Sequence, residues 1–239
     1  MPLVTLMLCV AGQAVPGRAA TIAISNPGFE TATLSLSGNG TFSQLIAGST
    51  VFTQGGTLAD WTASATSTDA GAGGFDPSPG GNNWTTTWWD GNNIAYLQES
   101  AGTTTSLSQT LSTVLQDNTT YTLSALIGRR TFTPNFNYAL ELFAGNTLLA
   151  SASNLTLANN SSGTDSAFYT SGASDPNAGQ ALEIVLTSTG STGFTEAFFD
   201  NISLTAQSQS VVPEPSMVTP GGIAMLAIVF CQWRRHRHD

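Results

Sequence analysis

Thr120-Tyr121-Thr122-Leu123-Ser124-Ala125-Leu126-Ile127 sets the class of this chain. Tyr121, Leu123, Ala125 and Ile127 fall at every second position and alternate with Thr122, Ser124 and Leu126, the period of a strand covered on one face. Outward from it, similar short runs at 94–98, 104–111, 138–143, 147–152, 182–187 and 194–204 stand between Gly, Asn and Pro punctuation. Ala144-Gly145-Asn146 between two of them is a hairpin signal. No sustained helical period occurs between 21 and 210. The expected fold is therefore all-β, a single antiparallel β-sandwich of jelly-roll type. Residues 69–83, rich in Gly, Ala, Asp, Pro and Asn, read as a surface loop over one end of it, where a local function would sit. Residues 159–164 and 171–179 read as shorter loops, and Trp61 as a core residue.

Composition narrows the partners. Between 21 and 210 the cations are Arg129 and Arg130, with no Lys and no His. Of the 15 acidic residues only Glu214 and Asp239 lie beyond that body, which leaves 13 against two arginines and a net charge of minus 11. Such a surface cannot build the basic patch that nucleic acid or an anionic membrane requires. Both cysteines, Cys9 and Cys231, lie near the chain ends, so the body has no disulfide.

The ends read as addresses. Residues 3–15 are almost wholly apolar, and Gly17 and Ala19 suit a signal peptidase, so 1–20 is expected to be a signal peptide. No Lys or Arg precedes Arg18, and the start is therefore expected upstream of Met1. At the other end Val212-Pro213-Glu214-Pro215-Ser216 precedes an apolar stretch and Arg234, Arg235 and Arg237. The prolines hold the motif extended, the apolar stretch can enter a bilayer as a short transmembrane helix, and arginines are retained at a cytoplasmic face. Pro220, Gly221 and Gly222 interrupt that helix and leave it shorter than the roughly 20 residues of a comfortable span. Together these features resemble the PEP-CTERM sorting signal, so the domains are expected as 1–20, 21–206 and 207–239. The resemblance implies export, a transient inner-membrane anchor, processing by an exosortase, and a cell-surface or extracellular destination associated with exopolysaccharide and biofilm. An ordinary tail anchor accounts for the helix and arginines but not for Pro-Glu-Pro.

Three further stretches, Asn26-Pro27-Gly28-Phe29-Glu30, Gly91-Asn92-Asn93-Ile94-Ala95-Tyr96-Leu97-Gln98 and Phe198-Phe199-Asp200-Asn201-Ile202-Ser203-Leu204, resemble the galactose-binding-like jelly rolls of carbohydrate-binding modules. The resemblance covers about 22–205 and implies a structural calcium ion at Glu30 and Asp200. Hard carboxylate ligands in a lysine-free domain suit Ca²⁺. The same two side chains can equally cap turns. Trp84, Trp88 and Trp89 with Asp90 and Asn92 outline a carbohydrate platform, since indoles stack on the apolar faces of sugars. Trp88 and Trp89, read as neighbours in a strand, point to opposite faces, so at most one belongs to a given surface. Arg129-Arg130 can grip a ligand carboxylate or, more commonly, the protein's own acids.

A body without His, Cys or Lys has no Ser-His or Cys-His pair. A glycoside hydrolase needs two facing carboxylates, for which Glu99, Glu141, Glu183 and Glu196 are available, Glu141 and Glu183 being expected on solvent faces. The expectation is accordingly a non-catalytic structural or adhesive surface protein, with a lectin-like module as the alternative.

Overall fold

The alternation about Leu123 is realised as β10, Thr119–Arg129, in which Tyr121, Leu123, Ala125 and Ile127 are each at most 1% exposed. A computed structural model describes residues 17–33, 35–37, 40–42, 57–66, 70–77, 87–131, 135–190 and 193–209. The signal peptide proper, Trp84, the sorting motif Val212 to Ser216, the apolar stretch after it and Arg234, Arg235 and Arg237 lie outside those residues.

Before β10 come β1 (Ala20–Ile22), β2 (Ala32–Thr33), β3 (Ser35–Ser37), β4 (Gly40–Phe42), β5 (Thr57–Leu58), β6 (Thr62–Ala65), β7 (Gly71–Asp76), β8 (Ile94–Glu99) and β9 (Thr104–Val114). After it come β11 (Ala139–Ala144), β12 (Thr147–Ala152), β13 (Ser161–Thr170), β14 (Ala181–Thr189) and β15 (Thr195–Ser208). An eight-stranded sheet runs β13-β10-β15-β8-β7-β4-β3 with β1 also on β15, and a five-stranded sheet runs β12-β11-β14-β9-β6. All of these ladders are antiparallel. The two sheets enclose one apolar core that includes Leu97, Leu107, Leu123, Leu140, Ile184 and Phe199. The expected all-β antiparallel sandwich is the observed fold.

Two expectations along the chain need correction. Within 69–83, Gly71 to Asp76 is not a loop but β7, paired with β8 from Gly71↔Gln98 to Phe75↔Ile94. Its residues are poor strand formers, so its extension comes from the ladder with β8 and not from local preference. Likewise Ser161 to Thr164 opens β13, which pairs with β10 through ten residues, from Ser161↔Arg129 to Thr170↔Thr120. Being an edge strand, β13 is mostly half-exposed and shows little alternation; its Phe168 is 67% exposed. Residues 171–179 are a loop as expected.

Trp61 lies in the core at 5% exposure, its ring centroid 5.2 Å from that of Phe29. Its indole N–H donates to the carbonyl of Asn26. Asn26 and Phe29 both take positive φ, 49° and 58°, and the Asn26 side chain holds this turn by donating to the carbonyls of Thr31 and Ala59. The Asn-Pro-Gly-Phe-Glu motif is thus a built turn that aims Glu30 at residues 92 and 93, just ahead of β8.

Candidate active site on the outer face of the large sheet

Side chains of a strand alternate between faces, so the residues of β7, β8 and β15 that do not enter the core form the outer face of the large sheet. Ala95, Leu97, Ala197 and Phe199 enter the core. Phe75, Ile94, Tyr96 and Phe198 form a second apolar cluster on the other side, all at most 3% exposed. The register lines them up: Phe198 pairs with Tyr96 across β15 and β8, Tyr96 with Gly73 on β7, and Phe198 with Gly128 on β10. Alongside runs a polar row in which Glu196 pairs with Gln98 and Gln98 with Gly71. Both Glu196 and Gln98 are buried. Arg130, just past β10, forms an ion pair through Nε with Glu196 Oε2, and its guanidinium lies 5.9 Å from the centre of the Phe194 ring.

Trp88 and Trp89 pack against this cluster from the segment that precedes β8. Their rings meet edge to face, 5.8 Å apart at 87°. Both indoles therefore serve one surface, which corrects the expectation that at most one would. The alternation rule does not apply because 87–93 is not a strand. Burial and, after it, the charge of Glu196 push the Tyr96 phenol above its ordinary value of 10, so it stays protonated.

A second acidic group lies behind this face. Glu99, fully buried, is pushed up to about 8, by burial first and also by Glu196. Ser188 Oγ is 2.8 Å from both Glu99 Oε2 and the carbonyl of Asn137. One hydroxyl has one proton, and a carbonyl accepts only, so Ser188 satisfies Asn137 and the protonated Glu99 supplies the other hydrogen. Glu99 and Glu196 occupy opposite faces of neighbouring strands and do not confront each other. Glu141 and Glu183 are half-buried on the small sheet, where Thr187 donates to Glu141. Glu99 and Glu196 therefore give no facing pair for a glycoside hydrolase.

Glu30 and Asp200, singled out in the sequence, are brought together around 90–93. The backbone N–H of Asn92 and of Asn93 donate to Glu30, and those of Asp90 and Asn201 donate to Asp200. Gly91 has φ 69°, and a Cβ there would collide with the Glu30 carboxylate. Burial, with smaller contributions from the charges of Glu30 and Asp90, pushes Asp200 up to about 6 against the lowering by its N–H donors. Asp90 and Asn92 are exposed and serve this junction through their backbones. Arg129 donates to the carbonyl of Leu157, so the Arg pair meets the protein itself. What the sequence reading missed is the aromatic row: Phe198 was visible in a motif, but its alignment with Tyr96 and Phe75 depends on pairing between distant strands.

Solved structures share this sandwich. The Stig cyclase Fisc from Fischerella sp. TAU, solved with (3Z)-3-(1-methyl-2-pyrrolidinylidene)-3H-indole, is 26% identical with a TM-score of 0.67, over 80% of this chain and 100% of that one. A cyclase from Fischerella sp. TAU is 28% identical with a TM-score of 0.65, over 81% and 100%. A carbohydrate-binding module solved with β-1,4-galactotriose is more distant, at 15% identity and TM-score 0.44 over 76% and 95%. No curated protein matches. The family described as HpiC1-like, HpiC1 cyclase, matches residues 20–205. This match overturns the expectation of a non-catalytic structural, adhesive or lectin-like protein. A body without His, Cys and Lys lacks only the Ser-His and Cys-His nucleophile pairs and a His-ligated metal, whereas ring closure needs a shaped apolar surface and a group that moves a proton. With the match running through the whole sandwich, the chain belongs to the HpiC1-like cyclase family.

Proposed function

We propose that this protein is a cyclase that closes a ring in an apolar substrate bearing an indole-like aromatic head, on the outer face of the large sheet. The observation that carries the reading is the row Phe198, Tyr96 and Phe75 with Trp88 and Trp89 beside it and the Glu196–Arg130 pair at its polar edge. The indole ligand of the 26% identical Fisc structure supports the substrate class. Aromatic faces stabilise positive charge as it develops on carbon. In the closing step the aromatic ring of the substrate supplies a π-electron pair to one end of a polarised double bond in its own side chain; a carbon–carbon bond forms as that double bond breaks, and the displaced electron pair moves to its far end. The ring then loses a proton, and the electrons of that carbon–hydrogen bond restore aromaticity. Glu196, held in place by Arg130, accepts the proton and returns it to the far end of the former double bond, so that the product is an isomer of the substrate, while Tyr96 remains a hydrogen-bond donor throughout.

The test is incubation of the purified protein with an indole that carries an unsaturated side chain at C3. A ring-closed isomer of unchanged mass is expected, with Glu196→Gln slower by about 100-fold or more and folding unaltered by circular dichroism. Absence of turnover together with absence of saturable indole binding overturns the reading.

Calcium at Glu30 and Asp200 belongs to the same proposal. Two carboxylates converge there, and a divalent ion would relieve the mutual repulsion that helps push Asp200 up. Among the described residues no three acidic, His or Cys side chains converge. The remaining ligands would be carbonyl oxygens. We further propose that the protein is exported and sorted through Pro213-Glu214-Pro215, a reading supported by the sequence of both chain ends.

A further inference from the structure

We infer that Gly128 is a specificity-determining position of the cyclase site, because it is the seat on which Trp88 lies. This inference rests on the outer face being the substrate site. Four outward residues of β10, Thr120, Thr122, Ser124 and Leu126, are half-exposed, whereas Gly128 on the same face is buried. What covers it is Trp88. A Cβ built on Gly128 would overlap the six-membered ring at its Cζ2 edge, 2.6 Å from Cε2 and nearer still to Cζ2 and Cη2. The backbone gives no reason for glycine: Gly128 does not have the left-handed φ found at Gly91, Gly102, Gly145, Gly179 and Gly193. It is paired within antiparallel ladders on both sides, opposite Phe198 on one and Ser162 on the other. Glycine in a strand interior weakens it, so its presence marks a place where something must approach closely. Here the approaching group is an indole that also stands edge to face with Trp89 and packs beside Phe198.

The consequence concerns width. With no side chain at 128, Trp88 lies against the sheet and continues the Phe198–Tyr96 row sideways as a flat aromatic surface. One methyl group at 128 lifts the ring and removes that end of the surface. A substrate head with two fused rings loses contact, whereas a single ring that does not reach Trp88 keeps most of its own.

The experiment compares wild type, Gly128→Ala, Trp88→Ala and the double variant by near-ultraviolet circular dichroism, thermal melting and calorimetric titration with 3-methylindole and toluene. Gly128→Ala is expected to change the tryptophan dichroism and to weaken 3-methylindole by about tenfold with little change for toluene. The two substitutions are expected to be strongly non-additive, since Trp88→Ala removes the very ring that the added methyl group displaces. Should Gly128→Ala prove poorly folded, recovery of folding in the double variant supports the same seat. Wild-type dichroism and an unchanged ratio of the two affinities in Gly128→Ala overturn the inference, as does additivity. If wild type binds neither probe, the substrate-site reading fails and the specificity role with it, while non-additive melting still reports the Trp88 seat separately.

Discussion

Glu99 shows what one residue contributes to this domain. It is a carboxylic acid sealed in the sandwich, facing Ser188 of the opposite sheet, with its pKa raised from 4.5 to about 8. Between those two pH values the folded chain holds a proton that the unfolded chain has released, so stability falls as pH rises from about 4.5 to about 8. Above that range this residue adds no further slope. Glu99→Gln keeps the shape and a donor for Ser188 but does not titrate. Melting of wild type across roughly pH 5 to 9 is expected to show a decline that Glu99→Gln largely removes; an equal decline in both would mean Glu99 is not the group responsible. In the sequence Glu99 is only one spare carboxylate among several, because burial at a given strand position is set by the partner sheet. Trp88 and Trp89 make the complementary point: their types suggest a ligand surface, but only the loop geometry puts both on the same one.

Among the elements, β11 and β13 belong to different sheets and are tied by one phenol. Tyr138, just ahead of β11, donates to Asp165 Oδ2 of β13 at 2.5 Å and accepts from the backbone N–H of Leu155 at 2.9 Å. Burial and the Asp165 hydrogen bond push this phenol above its ordinary range. Tyr138→Phe leaves a carboxylate and a backbone N–H without that partner and is expected to cost about 1–3 kcal/mol, read by denaturant melting, with ring closure unaffected. An unchanged midpoint would show that solvent replaces the hydroxyl. The junction of the 26–30 turn with 90–93 is the other element-scale link. If calcium joins Glu30 to Asp200, millimolar Ca²⁺ raises the melting temperature of wild type by several degrees and leaves Glu30→Gln where it was. Equal shifts in both, or none in either, would remove calcium from this junction. Strand β7 illustrates why such elements escape a sequence reading: Gly-Ala-Gly-Gly-Phe-Asp has no strand preference, and its order comes from β8.

At the scale of the whole molecule, one sandwich carries two faces of different use. The inner face is the core, and the outer face of the large sheet carries the aromatic row; β15 serves both because Phe199 and Phe198 are successive residues. A register irregularity between Ser124 and Leu126 on β10, with positive φ at Asn201 on β15, restores Ile202 to the core after Asp200. The proposed export and sorting at Pro213-Glu214-Pro215 predict that the mature chain recovered from the native cell surface or medium ends near 213–216. Mass determination of its C-terminal peptide checks this, and a chain that still carries Arg234 to Asp239 would reduce the segment to a tail anchor.

The amino-acid sequence alone determined the class of fold, most of the strands and the core identity of Trp61. Those follow from local period, turn chemistry and motifs, which are properties of neighbours in the chain. Only the tertiary structure decided that Phe75, Tyr96, Phe198 and Trp88 share one surface, that Glu196 meets Arg130 there, and that Glu99 is sealed away behind it. Each of these depends on the pairing of strands far apart in sequence, where a shift of one residue would exchange the two faces of the sheet.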